Sequence, residues 1–259
     1  MLEFDNQIHF WDENKNQLYD AVSGLYGLGL DIPSPSYTAQ TVQVNGRGTI
    51  TVDKKLNPRP ITARFMTYVS GGYHDRLNQL FELYGLLGNG KEFYIEHYNH
   101  RNLIPLVLVW KCSLGDWEPD KIGMNITTFD IPMTCTSGMA ETLLRHEESF
   151  TGNTFTLVNE GTVEVDPRMH DGFEIEFNGA STDLTITNET TGDVWKYNGE
   201  TLATDQILIK GIRPLKNCTS ILGDTNMNLI SLAIGDNNFT VSGASADFEL
   251  TIRTHFYYL

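Results

Sequence analysis

The sequence predicts a mainly β protein made of two unlike halves. One segment, His74 to Gly88, has the spacing of an amphipathic helix and lies between strand-like segments of the first half. Beyond about residue 140 no second helix of convincing length follows, and short alternating segments recur about every ten residues with turn residues between them. We therefore expect an α+β domain over residues 1–145, with one helix packed on a β-sheet or split barrel. Residues 146–259 are expected to form a β-sandwich or jelly roll.

Residues 40–52 predict a β-hairpin, because alternating apolar residues flank an Asn-Gly pair that favours a tight turn. The apolar and turn residues of this hairpin are Val42, Val44, Asn45, Ile50 and Val52. The next segment, Arg59 to Ser70, alternates with the period of two that is typical of a strand. These segments begin the predicted sheet of the first half.

The predicted helix has one apolar face, since its apolar residues are spaced by three and four positions. These residues are Leu77, Leu80, Phe81, Tyr84 and Leu87. The polar face carries Asp75, Asn78, Gln79 and Glu82. Gly88 can end the helix, and the following Asn-Gly pair turns the chain into a strand from Glu92 to Tyr98. The apolar face is expected to pack on the sheet.

The rest of the first half is predicted from shorter signals. Two further strands are expected at residues 104–112 and 121–135. Gly27 and Gly29 lack the third glycine and the following helix of a dinucleotide site, so a plain loop is expected there. Residues 136–153 combine small, charged and turn-forming side chains, which is typical of a connection between domains. We place the boundary near residue 145.

Composition narrows the class of function. The formal net charge of −15 disfavours general binding to nucleic-acid phosphate, which requires clustered Lys and Arg. No apolar run approaches the roughly 20 residues that span a bilayer, and the acidic amino terminus does not have the pattern of an export signal. Cys112, Cys135 and Cys218 are too few for a disulfide framework or a four-ligand zinc site, so we expect all three to be reduced and buried. Folding in a cytoplasm is expected.

Signals for catalysis or metal binding are weak. His97 and His100 form the closest histidine pair, but along a strand their spacing does not bring two metal ligands together. Glu174 and Glu176 alternate with apolar residues as on a half-exposed strand, although paired acids in a β-sandwich could serve glycoside hydrolysis. We predict no catalytic, metal or cofactor site.

Two aromatic residues leave a binding alternative open. Trp195 and Tyr197 lie in a predicted strand of the second half, and flat indole and phenol rings can stack on sugars. Packing in the core explains both residues as well. Binding of cell-wall glycans through Trp195 and Tyr197 is therefore the alternative function.

The order of motifs along the whole chain is more informative than any one of them. The first half contains RPITARFMTYVSGGYHDRLNQLFELYGLL, a strand passing directly into the helix, and then KEFYIEHYNHRNLIPLVLVWKCS. The second half contains an Asn-centred turn, a strand and a late Gly-Asn turn before the closing strands. The residues of this succession are Leu184, Ile186, Asn188, Thr191 and Gly192, then Asp205, Leu208 and Ile209, then Gly235 and Asn238. In this order the chain resembles the siphophage distal tail protein family, the baseplate hub proteins of long-tailed phages that infect Gram-positive bacteria. The Asp-Pro that many members carry after the first domain is replaced here by PMTCTSGMAE.

The resemblance implies a non-enzymatic structural protein of the virion, assembled in the host cytoplasm and located at the tail tip. It implies that the first domain forms a hexameric ring beneath the tail tube and that a galectin-like second domain projects outward. The implied partners are further copies of the chain, the tail tube protein, a tail-associated lysin or tail fibre protein, and receptor-binding baseplate proteins. No cofactor, specific nucleic-acid binding or membrane insertion is implied. Because a ring needs heterologous contacts, we expect the hairpin residues and the helix to form the interface.

Overall fold

The structure, a computed structural model, describes residues 8–18, 22, 24–44, 48–68, 73–97, 107–117, 126–170 and 172–259. The chain divides into two compact units, residues 1–143 with Leu259 and residues 144–258. Among the described residues the elements are strands, one α-helix and one short 3-10 helix. The predicted mainly β fold with a single helix is confirmed.

The first unit contains eight strands and the helix within its described residues. These are β1 (Ile8–Trp11), β2 (Leu25–Asp31), β3 (Tyr37–Val44), β4 (Gly48–Leu56), β5 (Arg59–Tyr68), α1 (Tyr73–Leu87), β6 (Phe93–His97), β7 (Leu108–Leu114) and β8 (Ile126–Thr142). Six strands pair antiparallel in the order β1-β6-β7-β8-β5-β2. The outer strands β1 and β2 lie near each other, so this sheet nearly closes. β3 and β4 form a separate two-stranded sheet.

The core of the first unit joins the helix to the sheet. Leu83 and Leu87 of α1 are buried in the same cluster as Ile61 and Phe65 of β5 and Phe129 of β8. This arrangement follows from the alternation of β5, in which every second side chain faces inward. The prediction of a helix packed on a sheet is confirmed.

The buried face of α1 differs from the predicted one. Leu80 and Leu87 are buried as expected, but Phe81 is 67% exposed, whereas Gln79, predicted to face outward, is buried. The inward stripe of α1 consists of Arg76, Gln79, Leu80, Leu83 and Leu87. The buried stripe is therefore rotated around the helix axis from the predicted one. A spacing of three and four residues fits a stripe that begins at Arg76 as well as one that begins at Leu77.

Three local predictions are corrected. Residues 25–31, which include Gly27 and Gly29, form strand β2 rather than a loop, since pairing with β5 supplies the hydrogen bonds and a register shift accommodates the glycines. Most of the predicted connection at 136–153 is also strand, because β8 continues to Thr142 and a further strand spans His146–Phe150. Cys218 is exposed rather than buried, because it lies in the turn after β15, where its φ is 66°.

The second unit is all β apart from the short helix η1. Its elements are β9 (His146–Phe150), β10 (Thr154–Asn159), β11 (Glu174–Asn188), β12 (Asp193–Lys196), β13 (Glu200–Thr201), β14 (Gln206–Lys210), β15 (Arg213–Lys216), β16 (Thr219–Ser220), η1 (Leu222–Asp224), β17 (Gly235–Thr254) and β18 (Tyr257–Tyr258). The long strands β11 and β17 pair antiparallel and carry register shifts around Ser181. Their two ends therefore bind different neighbours: β9 and β14 flank one end, and β10 and β12 flank the other.

No helix within the described ranges combines the length and the hydrophobicity that crossing a membrane requires.

Candidate assembly surface

The β3–β4 hairpin exposes apolar side chains. Its strands hydrogen-bond to each other and to no other strand of the described residues. Val42 is 53% exposed, Ile50 51% and Val52 65%. An isolated two-stranded hairpin is at best marginally stable in water, and clustered apolar side chains are normally covered by a partner. The hairpin therefore has the character of a surface that another molecule covers.

The register of the hairpin groups these residues. Val42 lies directly opposite Ile50, and the backbone of Val44 pairs with Gly48. The register shifts between Gln40 and Thr41, which leaves Val52 as an extra residue without a paired partner. The predicted hairpin is thus present, with longer arms than expected. Asn45 and the side chain of Val44 lie outside the described residues.

Polar contacts fix the base of the hairpin. The Thr38 hydroxyl donates to the Asn57 side-chain oxygen at 2.7 Å, and the Asn57 backbone N–H donates to the Ser36 carbonyl at 2.9 Å. Leu56 is half-buried beside Gly138, where an added Cβ would lie 2.6 Å from the Asn57 carbonyl oxygen. The hairpin is therefore held at its base, while its arms pair with no other described strand.

A second exposed apolar feature lies on the outer face of α1. Phe81 projects into solvent, and the partly exposed ring of Tyr84 lies 5.2 Å from that of Trp117. Trp117 in turn stacks on the core residue Phe129 at 5.3 Å. These rings connect the surface of the helix to the core, so Tyr84 is held in place while Phe81 stays uncovered. Phe81 and Tyr84 are aromatic residues three positions apart, a pattern that predicts a buried face, but the structure exposes Phe81.

The residues suggested for glycan binding are buried. Trp195 is 2% exposed, and Tyr197 is also in the core of the second unit. The Tyr197 backbone N–H donates to the Leu184 carbonyl at 2.9 Å, which fixes the residue beside β11. Neither ring presents a free face to a sugar, so core packing accounts for both.

The two acidic residues of β11 are engaged in ion pairs. Glu174 lies 3.1 Å from an Arg145 nitrogen and 3.2 Å from the Lys210 Nζ. Glu176 accepts a hydrogen bond from Arg253 at 2.6 Å, and this contact lowers the pKa of Glu176 below its ordinary value. A carboxyl group held in its ionised form is poorly suited to act as a general acid. Glu174 and Glu176 therefore take part in structural ion pairs.

Metal ligands do not converge within the part of the chain that the structure describes. No group of three His, Cys, Asp or Glu side chains there could hold an ion. His97 ends β6, and His100 lies outside the described residues.

No family model matches the chain, and no curated protein matches it.

Comparison of structures does find similar folds. The fold is similar to the crystal structure of the Dit protein of phage SPP1, described as a paradigm of the hub adsorption apparatus in phages that infect Gram-positive bacteria. The TM-score is 0.68 at 12% identity, over 96% of this chain and 99% of that chain. A chain of the phage p2 baseplate in its activated conformation with Sr gives a TM-score of 0.48 at 11% identity, over 95% of this chain and 97% of that chain, which is too low to support an argument. The predicted resemblance to siphophage distal tail proteins is thus confirmed at the level of the fold.

Proposed function

We propose that this chain is a structural hub of a phage tail tip, which assembles as a hexameric ring through its first unit. One observation supports this most strongly: the fold matches that of a phage hub protein over nearly the whole length of both chains. The match extends over both units, as a shared architecture requires. The proposed role is geometric rather than catalytic.

The exposed hairpin supplies a means of closing the ring. Val42 and Ile50 form an apolar pair, and each of the two residues is slightly more than half exposed. In a ring, one patch of each copy meets a different patch of the next copy, so the hairpin needs a second apolar surface as its counterpart. The outer face of α1, with Phe81 uncovered, is a surface of this kind. We therefore assign the hairpin and α1 to the two sides of the contact.

In this proposal the remaining surfaces bind different tail components. The ring stacks on the tail tube protein and carries a tail-associated lysin or fibre protein, while the second unit, proposed to be galectin-like, faces receptor-binding baseplate proteins. The net charge of −15 suits a channel for DNA, because negative walls repel phosphate.

Substitution in the hairpin tests the proposal. Val42→Asp places a charge at an apolar contact, so we expect rings in negative-stain images of the wild type and none for the variant. Thr49→Asp is the matched control, since Thr49 is exposed on the same hairpin and lies opposite the polar Gln43. It is expected to leave ring formation intact.

Intact rings formed by the Val42→Asp variant would remove the hairpin from the interface. If the wild type itself forms no ring, alone or with a tail tube protein, the hub proposal fails. Circular dichroism of each variant checks that the fold is retained.

A further inference from the structure

Two cysteines face each other inside the first unit. Cys112 of β7 and Cys135 of β8 are directly opposite in the antiparallel register. Both side chains are fully buried, and both belong to the same core cluster. Opposite residues of antiparallel strands have Cα atoms about 4.5–5.5 Å apart, and disulfides join Cα atoms about 4.4–6.8 Å apart. The backbone therefore already has a spacing that a disulfide can bridge.

The two side chains also face the same core. Cys112 and Cys135 are fully buried at directly opposed positions of the sheet, so their side chains lie on one side of it. The neighbouring Cys112 thiol lowers the pKa of Cys135 and the Ser137 hydroxyl, 3.3 Å from its sulfur, acts in the same direction, whereas the pairing raises the pKa of Cys112. The Cys135 thiol also donates a hydrogen bond to the Met139 carbonyl at 3.4 Å. These contacts hold the Cys135 side chain in place.

A bulge in β8 fixes this geometry. Between the pairs Trp110–Ala140 and Cys112–Cys135, β8 contains extra residues that β7 does not match. Gly138, within this bulge, has a φ of 72°, and an added Cβ there would lie 2.6 Å from the Asn57 carbonyl oxygen. The bulge is therefore a tightly constrained feature, and it brings the Ser137 hydroxyl to the sulfur of Cys135.

We infer that Cys112 and Cys135 form a cross-strand dithiol that is converted to a disulfide by a small-molecule disulfide such as oxidised glutathione. The inference rests on the first unit alone and does not depend on the proposed hub function. It gives the protein a covalent link between β7 and β8 once it leaves a reducing cytoplasm.

The exchange is balanced in two steps. One of the two protein thiols loses its proton and attacks one sulfur of the small disulfide, which forms a mixed disulfide and releases one small thiolate that takes up a proton. The other protein thiol then loses its proton and attacks the protein sulfur of the mixed disulfide, which releases the second small thiolate. Two protein thiols are oxidised, one small disulfide is reduced to two thiols, and both protons remain on the products. Because the pair is buried, exchange proceeds through opening of the unit or during folding.

The test is the equilibrium of the thiol pair in glutathione buffers of graded ratio, measured in the folded protein and in concentrated urea. A Cys218→Ser background removes the exposed third thiol, so that only one intramolecular disulfide can form. The protein is refolded in each buffer and quenched, and the fraction that has lost about 2 Da is measured by intact mass. We expect the effective concentration of the two thiols to be at least about tenfold higher in the folded protein than in urea. The folded backbone holds the two residues at the spacing of a disulfide, and the disulfide in turn stabilises the folded backbone.

Two outcomes would overturn the inference. One is an effective concentration in the folded protein equal to or below that in urea. The other is native protein with two free thiols in fully oxidised buffer. A Cys135→Ser variant in the same background should show no loss of about 2 Da, which checks the assignment of the signal. Thiol mapping of the unsubstituted protein in the same buffers keeps the test independent of how the variants fold.

Discussion

The β3–β4 hairpin and the β11–β17 pair are both antiparallel and both carry apolar residues, yet their environments are opposite. In β11, Ile175 and Phe177 are buried, whereas in the hairpin Val42, Ile50 and Val52 are all more than half exposed. The pair β11–β17 is flanked by other strands at both ends, but β3 and β4 have only each other among the described strands. An apolar pattern therefore shows that a strand has a partner surface, but not that the surface lies in the same chain.

The largest expected effect is the difference in stability lost when a large apolar side chain is removed from each of these two regions. Phe177→Ala removes a ring that packs on Phe248, with centroids 5.5 Å apart, and should lower the free energy of unfolding by about 3–5 kcal/mol. Ile50→Ala should change it by less than about 0.5 kcal/mol under conditions where the chain is monomeric. Urea denaturation measures both. Equal losses in the two variants would mean that the hairpin is packed within its own chain.

A smaller loss of stability is expected when a buried polar side chain is removed. The Asn237 side chain accepts hydrogen bonds from the Ala233 N–H at 2.8 Å and from Asn188 at 3.0 Å, and it is fully buried. Asn237→Ala leaves those donors without an acceptor and should cost about 1–3 kcal/mol in the free energy of unfolding. Asn238→Ala is the control, because the neighbouring Asn238 is exposed. Similar urea midpoints for the two variants would contradict this.

The second unit should also respond to acid. The Asp205 carboxylate accepts a hydrogen bond from the Leu202 N–H at 2.9 Å and one from Asn217 at 2.8 Å, and these contacts lower its pKa to about 2. A carboxyl group with a lowered pKa contributes stability above its ordinary pKa, and this contribution is lost as the pH falls through the lowered value. Thermal unfolding from pH 5 down to about pH 2 should therefore show a weaker pH dependence in Asp205→Asn than in the wild type. If the wild type and Asp205→Asn show the same pH dependence of thermal unfolding, other groups are responsible for the loss of stability in acid.

The smallest expected effect concerns the outer surface of the first unit. Arg64 and Asp130 form a two-bond ion pair between β5 and β8, at 2.9 and 3.1 Å, but both side chains are largely exposed. Arg64→Ala should leave the urea midpoint nearly unchanged, because water and salt screen such pairs. Urea denaturation at low and high salt measures the change. A clear fall in the midpoint that high salt does not reduce would show that this surface is less accessible to water than its exposure indicates.

The sequence predicts best the features that depend on local spacing. The helix and the hairpin are found where their apolar periods place them, and β5 alternates as expected. Features that depend on distant partners are missed: β2 is a strand because β5 pairs with it, and β8 continues through a polar stretch because β7 pairs with it. The rotation of α1 also depends on packing, since Leu83 and Phe81 are both apolar and only the sheet decides which of them is buried.

The candidate surface could be predicted only in part. Alternation placed Val42 and Ile50 in a hairpin, but it could not show that both faces of the hairpin lack cover from the chain itself. The exposure of Phe81 follows from a helix rotation that periodicity leaves open. Trp195 was open to two interpretations for the same reason, because an aromatic residue in a strand has the same pattern whether it packs in a core or contacts a ligand.

The mass of the wild-type protein in solution tests the central claim most directly. Light scattering over a range of concentrations reports whether copies of the chain cover one another. The hub proposal predicts a mass of roughly six times 29.2 kDa, with annular particles in the same fraction. A mass of 29.2 kDa at every concentration, with no rings formed when a tail tube protein is added, would contradict the claim that the exposed hairpin is an interface between copies.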